Sequence, residues 1–188
     1  MSRPGRSVRY PLQPHESSRV LARQAGVVLC VDVAALADAG LRLRYSLLAD
    51  PSKLRIPAPS PAPARVDGLW RHTCFEAFIG RDPGDYGEYN FSPSGDWAAY
   101  RFSGYREGMT PLASGAAPVV TPPTGGEGIT LQTDLDLAWL LGVPNARLRL
   151  GLATILEHAS GELSYWALNH PAGKPDFHHA DGFMIELG

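Results

Sequence analysis

The chain has 188 residues, a formal net charge of −2 and a hydrophobic fraction of 44%. These values fit one globular domain with its own core, and they lack the basic excess that nucleic-acid binding requires. Glycines (20) and prolines (17) separate short alternating segments, a pattern typical of turns in all-β proteins. We therefore predict a single domain over residues 1–188 that does not bind nucleic acid.

The N-terminal segment, residues 1–17, carries early arginines but no apolar run of signal-peptide length behind them. We predict that it forms an extended arm. No stretch approaches the ~20 apolar residues of a membrane span, so neither membrane insertion nor export is expected and the predicted location is cytoplasmic. In that compartment Cys30 and Cys74 are expected to be reduced and packed as small hydrophobic residues.

Two segments before the middle of the chain alternate between apolar and polar residues. They read "LCVDV" (29–33) and "LRLRYSLL" (41–48), and "ADAG" separates them. This period of two predicts a pair of antiparallel strands. The following "PAPSPAPARVDG" (57–68) has few backbone donors for a sheet and favours an extended polyproline conformation, so it predicts a proline-rich surface loop.

Three segments follow in close succession and predict a three-stranded meander. They are "WRHTCFEAFIG" (70–80), "YGEYNFSPSG" (86–95) and "DWAAYRFSGY" (96–105), with turn residues between them. Further strands are predicted for "ITLQTDLDL" (129–137), the hairpin of "ARLRLGLATILEH" (146–158) with "LSYWALNH" (163–170), and "DGFMIEL" (181–187). One short helix is predicted at "DLAWLLG" (136–142). About ten strands and one short helix indicate an all-β fold, an antiparallel two-sheet β-sandwich.

Side chains on a strand point alternately to its two faces, so the meander predicts one mixed aromatic and polar face. Phe75, Ala77 and Ile79 form the expected core side of the first strand. We expect the opposite face to gather Trp70, His72, Glu76, Glu88, Asn90, Trp97 and Arg101. Flat rings beside carboxylate, amide and guanidinium groups suit a polyhydroxylated ligand. A plain exposed sheet with cross-strand Glu/Arg pairs is the alternative at this stage.

The string "HTC" raises the alternative of an enzyme that uses His72, Cys74 and Glu76. Residues two apart on a strand lie ~6.6 Å apart along its axis. A histidine base must lie within ~2.6–3.2 Å of its nucleophile. His72 and Cys74 therefore cannot form a dyad within this strand, and only a partner from elsewhere would leave a catalytic cysteine open. Hydrolysis of a glycosidic bond by Glu76 and Glu88 has no supporting motif.

The C-terminal "PDFHHADG" (175–182) contains two adjacent histidines and raises the question of a metal site. His178 and His179 would point to opposite sides of an extended chain, whereas zinc needs three or four converging ligands. We therefore predict no metal, with His178, His179 and Asp181 or Asp176 as the only weak candidates. The favoured interpretation is a polar loop from His170 to His179 that forms the rim of a ligand site.

The segments "LWRHTCFEAFIG" (69–80) and "YGEYNFSPSGDWAAYRF" (86–102) resemble central strands of the DOMON superfamily and of type 9 carbohydrate-binding modules. "HPAGKPDFHHADGF" (170–183) resembles a bacterial DOMON-like branch that is associated with a cell-wall precursor reductase. The resemblance implies a β-sandwich that binds a sugar or a b-type haem, and type 9 modules also bind calcium. A haem would need a methionine and a histidine as ligands, here Met109 or Met184 with one of the histidines, yet no such pair aligns with the haem-branch positions.

From these patterns we predict a non-catalytic module that binds a glycan or a sugar-derived small molecule, without a required cofactor. Trp70 and Trp97 are expected to stack on the ligand. The residues expected to hydrogen-bond it are His72, Glu76, Glu88, Asn90 and Arg101, with His170, His178 and His179 at the rim. Binding of haem b is the first alternative and an enzyme the second. The sequence gives no prediction of a protein partner.

Overall fold

A computed structural model describes residues 7–37, 40–82, 84–112, 119–121, 128–140 and 147–187. Its strands and its α-helix follow in chain order: β1 (Val8–Pro11), β2 (Gln13–Pro14), α1 (Arg19–Gln24), β3 (Val28–Ala35), β4 (Gly40–Leu48), β5 (Cys74–Asp82), β6 (Tyr86–Phe91), β7 (Trp97–Phe102), β8 (Thr110–Pro111), β9 (Val119–Thr121), β10 (Gly128–Asp136), β11 (Arg147–Glu157), β12 (Leu163–Ala167) and β13 (Ile185–Leu187). Short 3-10 turns lie at Glu16–Ser18, Pro51–Lys53, Leu69–Arg71, Ala138–Leu140 and Ala180–Gly182.

The strands form two antiparallel sheets, which confirms the predicted sandwich. The smaller sheet has the order β1-β3-β4-β10-β9. The larger sheet has the order β2-β12-β11-β5-β6-β7-β8, and β13 also pairs with β11. The predicted β3–β4 pair, the β5–β6–β7 meander and the β11–β12 hairpin are all present. Within the described ranges, no helix has the length and apolar character needed to cross a lipid bilayer.

The short helix lies elsewhere than predicted. The described α-helix is Arg19–Gln24, for which the sequence predicted no helix. At the predicted position only the 3-10 turn Ala138–Leu140 forms, where Asp136 Oδ1 accepts a hydrogen bond from the Ala138 amide at 2.8 Å. The predicted end of that helix, at residues 141–142, lies outside the described residues.

The N-terminal arm and the proline-rich loop both dock on the sandwich. Within the arm, β1 pairs with β3 in the smaller sheet and β2 pairs with β12 in the larger sheet, so residues 8–14 link the two. The proline-rich loop runs beside the start of β7. The Trp97 amide donates a hydrogen bond to the Ala64 carbonyl at 3.0 Å, and the Trp97 carbonyl accepts a hydrogen bond from the Val66 amide at 2.9 Å. The loop therefore covers the beginning of that strand.

The first strand of the meander begins later than predicted. Gly68 adopts a left-handed conformation with φ 81°, which glycine tolerates without the usual steric penalty. The chain then makes the 3-10 turn Leu69–Arg71, and β5 starts only at Cys74. Trp70 and His72 therefore do not lie on a strand, and strand alternation does not set the direction of their side chains.

The core between the sheets is apolar, as expected of a sandwich. From the larger sheet, Phe75, Ala77 and Ile79 of β5 point into it, as predicted, and Tyr89 and Phe91 of β6 do so as well. A second apolar cluster covers the opposite, outer face of the same sheet. Its buried members are Phe78, Tyr86, Ala98, Tyr100, Phe102, Ala153, Ala167 and Phe183.

The prediction that Trp97 and Arg101 of β7 share a face with Glu88 and Asn90 is wrong. Ala98 pairs with Asn90 and Tyr100 with Glu88, and directly paired residues share a face. Ala98 and Tyr100 therefore lie on the outer face with the polar residues of β6, while Trp97 packs against the core between the sheets. Polarity could not identify the core side of β7 because both faces of this sheet are covered.

A buried hydrogen bond connects the two sheets beneath the outer face. The Tyr45 hydroxyl on β4 donates to the backbone carbonyl of Glu76 on β5 at 2.7 Å, and the Tyr45 ring lies 5.2 Å from that of Phe75. Tyr45 is fully buried. The bond fixes the smaller sheet against β5 at the residue that carries a carboxyl group to the other face.

We expect Tyr45→Phe to lower the free energy of unfolding by about 1–2 kcal/mol, because it removes a buried hydrogen bond and leaves its acceptor with one partner fewer. Urea unfolding would measure the change. Tyr10→Phe is the matched control, since the half-buried Tyr10 hydroxyl makes no hydrogen bond among the described residues. Equal effects of the two substitutions would contradict the role of this bond.

Candidate ligand-binding cleft

The outer face of β5, β6 and β7 is covered by two pieces of chain with a cleft between them. The covers are the 3-10 turn Leu69–Arg71 and residues 169–184, here called the covering segment. The cleft, here called the outer cleft, has a volume of about 460 Å³. It is lined by Trp70, Glu76, Phe78, Glu88, Phe102, Arg106, Met109, Ile155, Tyr165, Pro175, Phe177 and His178.

Aromatic side chains supply much of the lining. Phe78 and Phe102 are buried, whereas Trp70, Tyr165 and Phe177 are half-buried and reach the cleft from its sides. Such rings offer flat apolar surface to a ligand of limited size.

The Trp70 ring is fixed by a chain of contacts that begins in the proline-rich loop. It meets the Tyr100 ring edge to face at 5.9 Å. The Tyr100 hydroxyl donates to Asp67 Oδ1 at 2.7 Å, and Arg65 forms an ion pair with the same oxygen at 2.9 Å. The last residues of the loop therefore hold the tryptophan over the sheet.

Two carboxyl groups lie at the floor of the outer cleft. Glu76 is 2% exposed and Glu88 is 6% exposed. Glu88 Oε1 accepts a hydrogen bond from Asn90 Nδ2 at 2.7 Å, and the Cys74 thiol lies 3.6 Å from Asn90 Oδ1. Glu76 Oε1, by contrast, is buried and has no hydrogen-bond partner among the described residues. A buried oxygen of this kind is costly unless something else satisfies it.

Burial raises the pKa of both carboxyl groups. For Glu76 the loss of solvent raises the pKa well above its ordinary value and repulsion from Glu88 raises it further, while a hydrogen bond from the neighbouring Cys74 thiol acts in the opposite direction. For Glu88 burial also raises the pKa, although the Asn90 hydrogen bond and the charge of Arg106 act in the opposite direction. The pair therefore keeps protons at pH values where an exposed glutamate is ionised.

His178 lies beside this pair without neutralising it. Its Nε2 atom is 3.6 Å from Glu88 Oε2, and its Nδ1 atom is 2.8 Å from the Tyr86 hydroxyl. That hydroxyl already accepts the Arg106 amide at 3.1 Å. Burial and the nearby Arg106 lower the pKa of His178 to about 4, so the ring is neutral at pH 7.

Asp176 ties the covering segment to the loop after β7. Its carboxylate accepts a hydrogen bond from the Tyr105 hydroxyl, and Arg106 donates to Oδ1 at 2.8 Å. The His178 amide also donates to Oδ1, at 3.2 Å. Arg106 therefore lines the outer cleft while its guanidinium is paired with Asp176.

Of the residues predicted to form the site, the structure brings together Trp70, Glu76, Glu88 and His178, with Asn90 buried beneath them. It separates the other five. His72 is largely exposed and pairs with Glu157 at 2.7 Å, and His170 Nε2 lies 2.9 Å from Gln13 O. His179 Nδ1 accepts the Asp181 amide at 3.3 Å and ends outside the cleft lining.

Trp97 and Arg101 are the largest correction to the predicted face. Both lie on the side of the sheet opposite the outer cleft. The Arg101 guanidinium forms an ion pair with Asp85 at 2.5 Å and lies 5.6 Å from the centre of the Trp139 ring. The predicted shared face with Glu76 and Glu88 is therefore wrong for these two residues.

Several lining residues were absent from the predicted site. Phe78 is two residues from Glu76 on the same strand, so alternation alone could have identified it. Phe102 could be placed in the cleft only once the two faces of β7 were known. Arg106 and Tyr165 could be placed there only from the three-dimensional arrangement of the chain. Phe177 lies in the histidine-rich loop that was predicted to form the rim of the site. Its packing against Phe78 could not be predicted from any pattern in the sequence.

The metal and haem alternatives concern the same region. Among the residues that the structure describes, no group of three or more His, Cys, Asp and Glu side chains is arranged to hold a metal ion. Met109 lines the outer cleft with His178, whereas Met184 is exposed and outside the lining.

Comparison with known proteins supports the architecture. The structure is similar to that of a protein from Bacteroides uniformis described as a "putative carbohydrate-binding protein", with a TM-score of 0.65 and 11% sequence identity over 94% of this chain and 84% of that chain. An identity this low shows a shared fold only. No protein-family profile matches the sequence, and no curated protein matches it either. The resemblance to the DOMON branch therefore stays a prediction.

The two cysteines offer a test of the enzyme alternative. Cys74 is fully buried, and burial raises the pKa of its thiol well above the ordinary value, whereas Cys30 is partly exposed. We expect the single-thiol variant Cys30→Ala to react with a maleimide at pH 7 only as fast as it unfolds, and Cys74→Ala to react readily through Cys30. Rapid labelling of Cys74 in the folded protein would instead indicate an activated nucleophile.

The buried carboxyl groups predict a dependence of stability on pH. Because the pKa of Glu76 is higher in the folded than in the unfolded state, its contribution is full below the unfolded value of ~4.3 and is lost as pH rises through the folded value. We expect Glu76→Gln to be more stable than the wild type at pH 8 and to show a flatter decline in free energy of unfolding from pH 5 to 8.

Urea unfolding at several pH values would measure this decline. Glu186→Gln is the control, because that side chain is exposed on β13, and we expect it to follow the wild-type profile. A Glu76→Gln profile parallel to that of the wild type would contradict burial of an ionisable group at this position.

Proposed function

We propose that the outer cleft binds a carbohydrate or a sugar-derived small molecule and that the protein acts as a non-catalytic binding module. The observation that carries this proposal is the Glu76 carboxyl group, which is 2% exposed, lines the cleft and keeps one oxygen without a partner among the described residues. A ligand that donates a hydrogen bond to Glu76 Oε1 would satisfy it.

The walls of the cleft support a sugar as that ligand. A sugar ring has an apolar face of C–H groups and a rim of hydroxyls, so it suits a site with flat aromatic sides and a few fixed polar groups. The half-buried rings of Trp70, Tyr165 and Phe177 supply the aromatic sides, while Glu76 and Glu88 lie at the floor. A volume of about 460 Å³ is within the range of small-molecule sites.

The Bacteroides uniformis protein, described as carbohydrate-binding, adds support at the level of fold. A β-sandwich alone does not determine a ligand, because unrelated functions share such folds. The proposal therefore depends on the residues that line the outer cleft. The similarity in fold to the Bacteroides uniformis protein is consistent with it.

Glycoside hydrolysis is the second candidate, favoured by two carboxyl groups with raised pKa values in one cleft. A retaining or inverting hydrolase needs one protonated acid and one ionised carboxylate. Here burial raises the pKa of both groups, and no described cation contacts either of them closely, which favours binding over hydrolysis. Release of nitrophenol from nitrophenyl glycosides, lost in both Glu76→Gln and Glu88→Gln, would establish the hydrolase instead.

Haem binding stays the other alternative, and it requires its own measurement. Met109 and His178 both line the outer cleft and are the residues to replace first. A Soret band on addition of haem, altered in Met109→Ala and His178→Ala, would favour haem over a sugar.

A glycan array followed by calorimetry would test the binding proposal. We expect Trp70→Ala to weaken binding of any sugar found by at least about tenfold, because it removes an aromatic wall of the cleft. Trp97→Ala is the matched control: this tryptophan is also half-buried in the same region but lies on the opposite side of the sheet. We expect Trp97→Ala to leave the affinity of the folded protein unchanged.

Thermal unfolding would show that both tryptophan variants are folded at the temperature of the binding assay. Equal losses of affinity in the two variants, with both folded, would contradict the outer cleft as the binding site. Loss in Trp97→Ala alone would move the site to the other side of the sheet.

A further inference from the structure

We propose that the outer cleft selects a ligand that carries a cationic amine, such as an amino sugar with a free amino group, and seats that amine against Glu76 and Glu88. The inference rests on the proposed function and narrows its ligand class. It comes from the balance of charge, donors and aromatic surface around the two carboxyl groups.

The floor of the cleft lacks a cation of its own among the described residues. His178 Nε2 is 3.6 Å from Glu88 Oε2, but its lowered pKa of about 4 leaves the ring neutral at pH 7. The Arg106 guanidinium lines the cleft, yet it is paired with Asp176 at 2.8 Å. Buried carboxylates are normally matched by a nearby positive charge. A ligand ammonium would supply the missing one.

The hydrogen-bonding capacity of the floor points the same way. Glu76 Oε1 can only accept while the group is ionised, and Glu88 Oε1 already accepts from Asn90 at 2.7 Å. Once the two carboxyl groups have lost their protons, acceptors therefore exceed donors at the floor. An ammonium group has three donors and no acceptor, whereas a hydroxyl has one donor and an acetamide brings an acceptor and a methyl group as well. The ammonium group meets this surplus of acceptors best.

The walls favour a cation over an anion. The rings of Trp70, Tyr165 and Phe177 are half-buried at the sides of the cleft, and the π-electron face of such a ring carries partial negative charge, so it attracts a positive group and not a carboxylate. Hydrogen bonds to a charged group contribute more than neutral ones. The hydrogen bonds would form at two carboxyl groups that are buried, and low local polarity strengthens them.

Binding of a cation must also change the protonation of the floor. The titratable or charged side chains that face it are Cys74, Glu76, Tyr86, Glu88, Tyr100, Arg106, Tyr165 and His178. Among these, the two glutamates hold protons that an arriving ammonium would displace, since a nearby positive charge lowers the pKa of a carboxyl group. We therefore expect proton release on binding, and tighter binding as pH rises from 5 to 7.

Calorimetry would compare three matched sugars in each of the gluco and galacto series: the amino sugar, its N-acetyl form and its hydroxyl counterpart. We expect the amino sugar to bind about 10- to 100-fold more tightly than the other two in at least one series. Titrations in two buffers of different ionisation enthalpy would show release of protons with the amino sugar only.

The variant Glu76→Gln is expected to weaken the amino sugar far more than the hydroxyl sugar, because the lost carboxylate is the partner of the amine, and to reduce the release of protons to the part that comes from Glu88. Glu186→Gln is the matched control and should behave as the wild type. Trp70→Ala should weaken all three sugars together, which separates the shared sugar contacts from the contact with the amine.

Equal affinities for the three sugars, with binding still dependent on Trp70, would overturn the amine inference and leave the proposed function in place. Tighter binding of the N-acetyl form would overturn it as well. If no sugar of either series bound, the proposed function would fail, and this inference with it.

Discussion

The middle of the larger sheet is buried on both faces, and most other features of the molecule depend on this constraint. Every residue of β6 is buried, because one side packs on the smaller sheet and the other lies under the covering segment and the turn that carries Trp70. A strand in this position cannot place a polar side chain in solvent. Glu76, Glu88 and Asn90 are therefore desolvated by the fold itself, and the raised carboxyl pKa values follow from their position.

The cover over the outer face is assembled from distant parts of the chain. Asp67 fixes Tyr100 at the end of the proline-rich loop, and Asp176 holds the covering segment to Arg106. Three residues before Asp176 in that segment, His15 Nε2 lies 3.0 Å from Gly173 O. The N-terminal arm, the proline-rich loop and the C-terminal segment thus each contribute to a cleft whose floor comes from β5 and β6. Its shape depends on the complete fold.

Local patterns in the sequence were sufficient for the strands and for part of the floor. Alternation placed Phe75 in the core and Glu76 on the opposite face, and the turn residues gave the order of the meander. Alternation failed on β7, where Trp97 and Tyr100 are both large and apolar on opposite faces, so that only the register with β6 distinguishes them. The left-handed turn at Gly68, the covering segment and Arg106 depend on contacts between residues far apart in sequence, which periodicity does not encode.

An exposed sheet with cross-strand Glu/Arg pairs was the plainest interpretation of the same residues, and the geometry argues against it. Arg101 pairs with Asp85 on the other side of the sheet, and Arg106 pairs with Asp176 above it, so neither arginine pairs with Glu76 or Glu88. Two buried carboxyl groups without a matching cation lower the stability of the folded state as pH rises, and packing alone gives no reason to retain them. A molecule that donates hydrogen bonds to them would reverse that penalty, since anything that binds only the folded state stabilises it. The free-energy cost of burying the two carboxyl groups would then contribute to ligand affinity, because that cost is removed only when a ligand occupies the cleft.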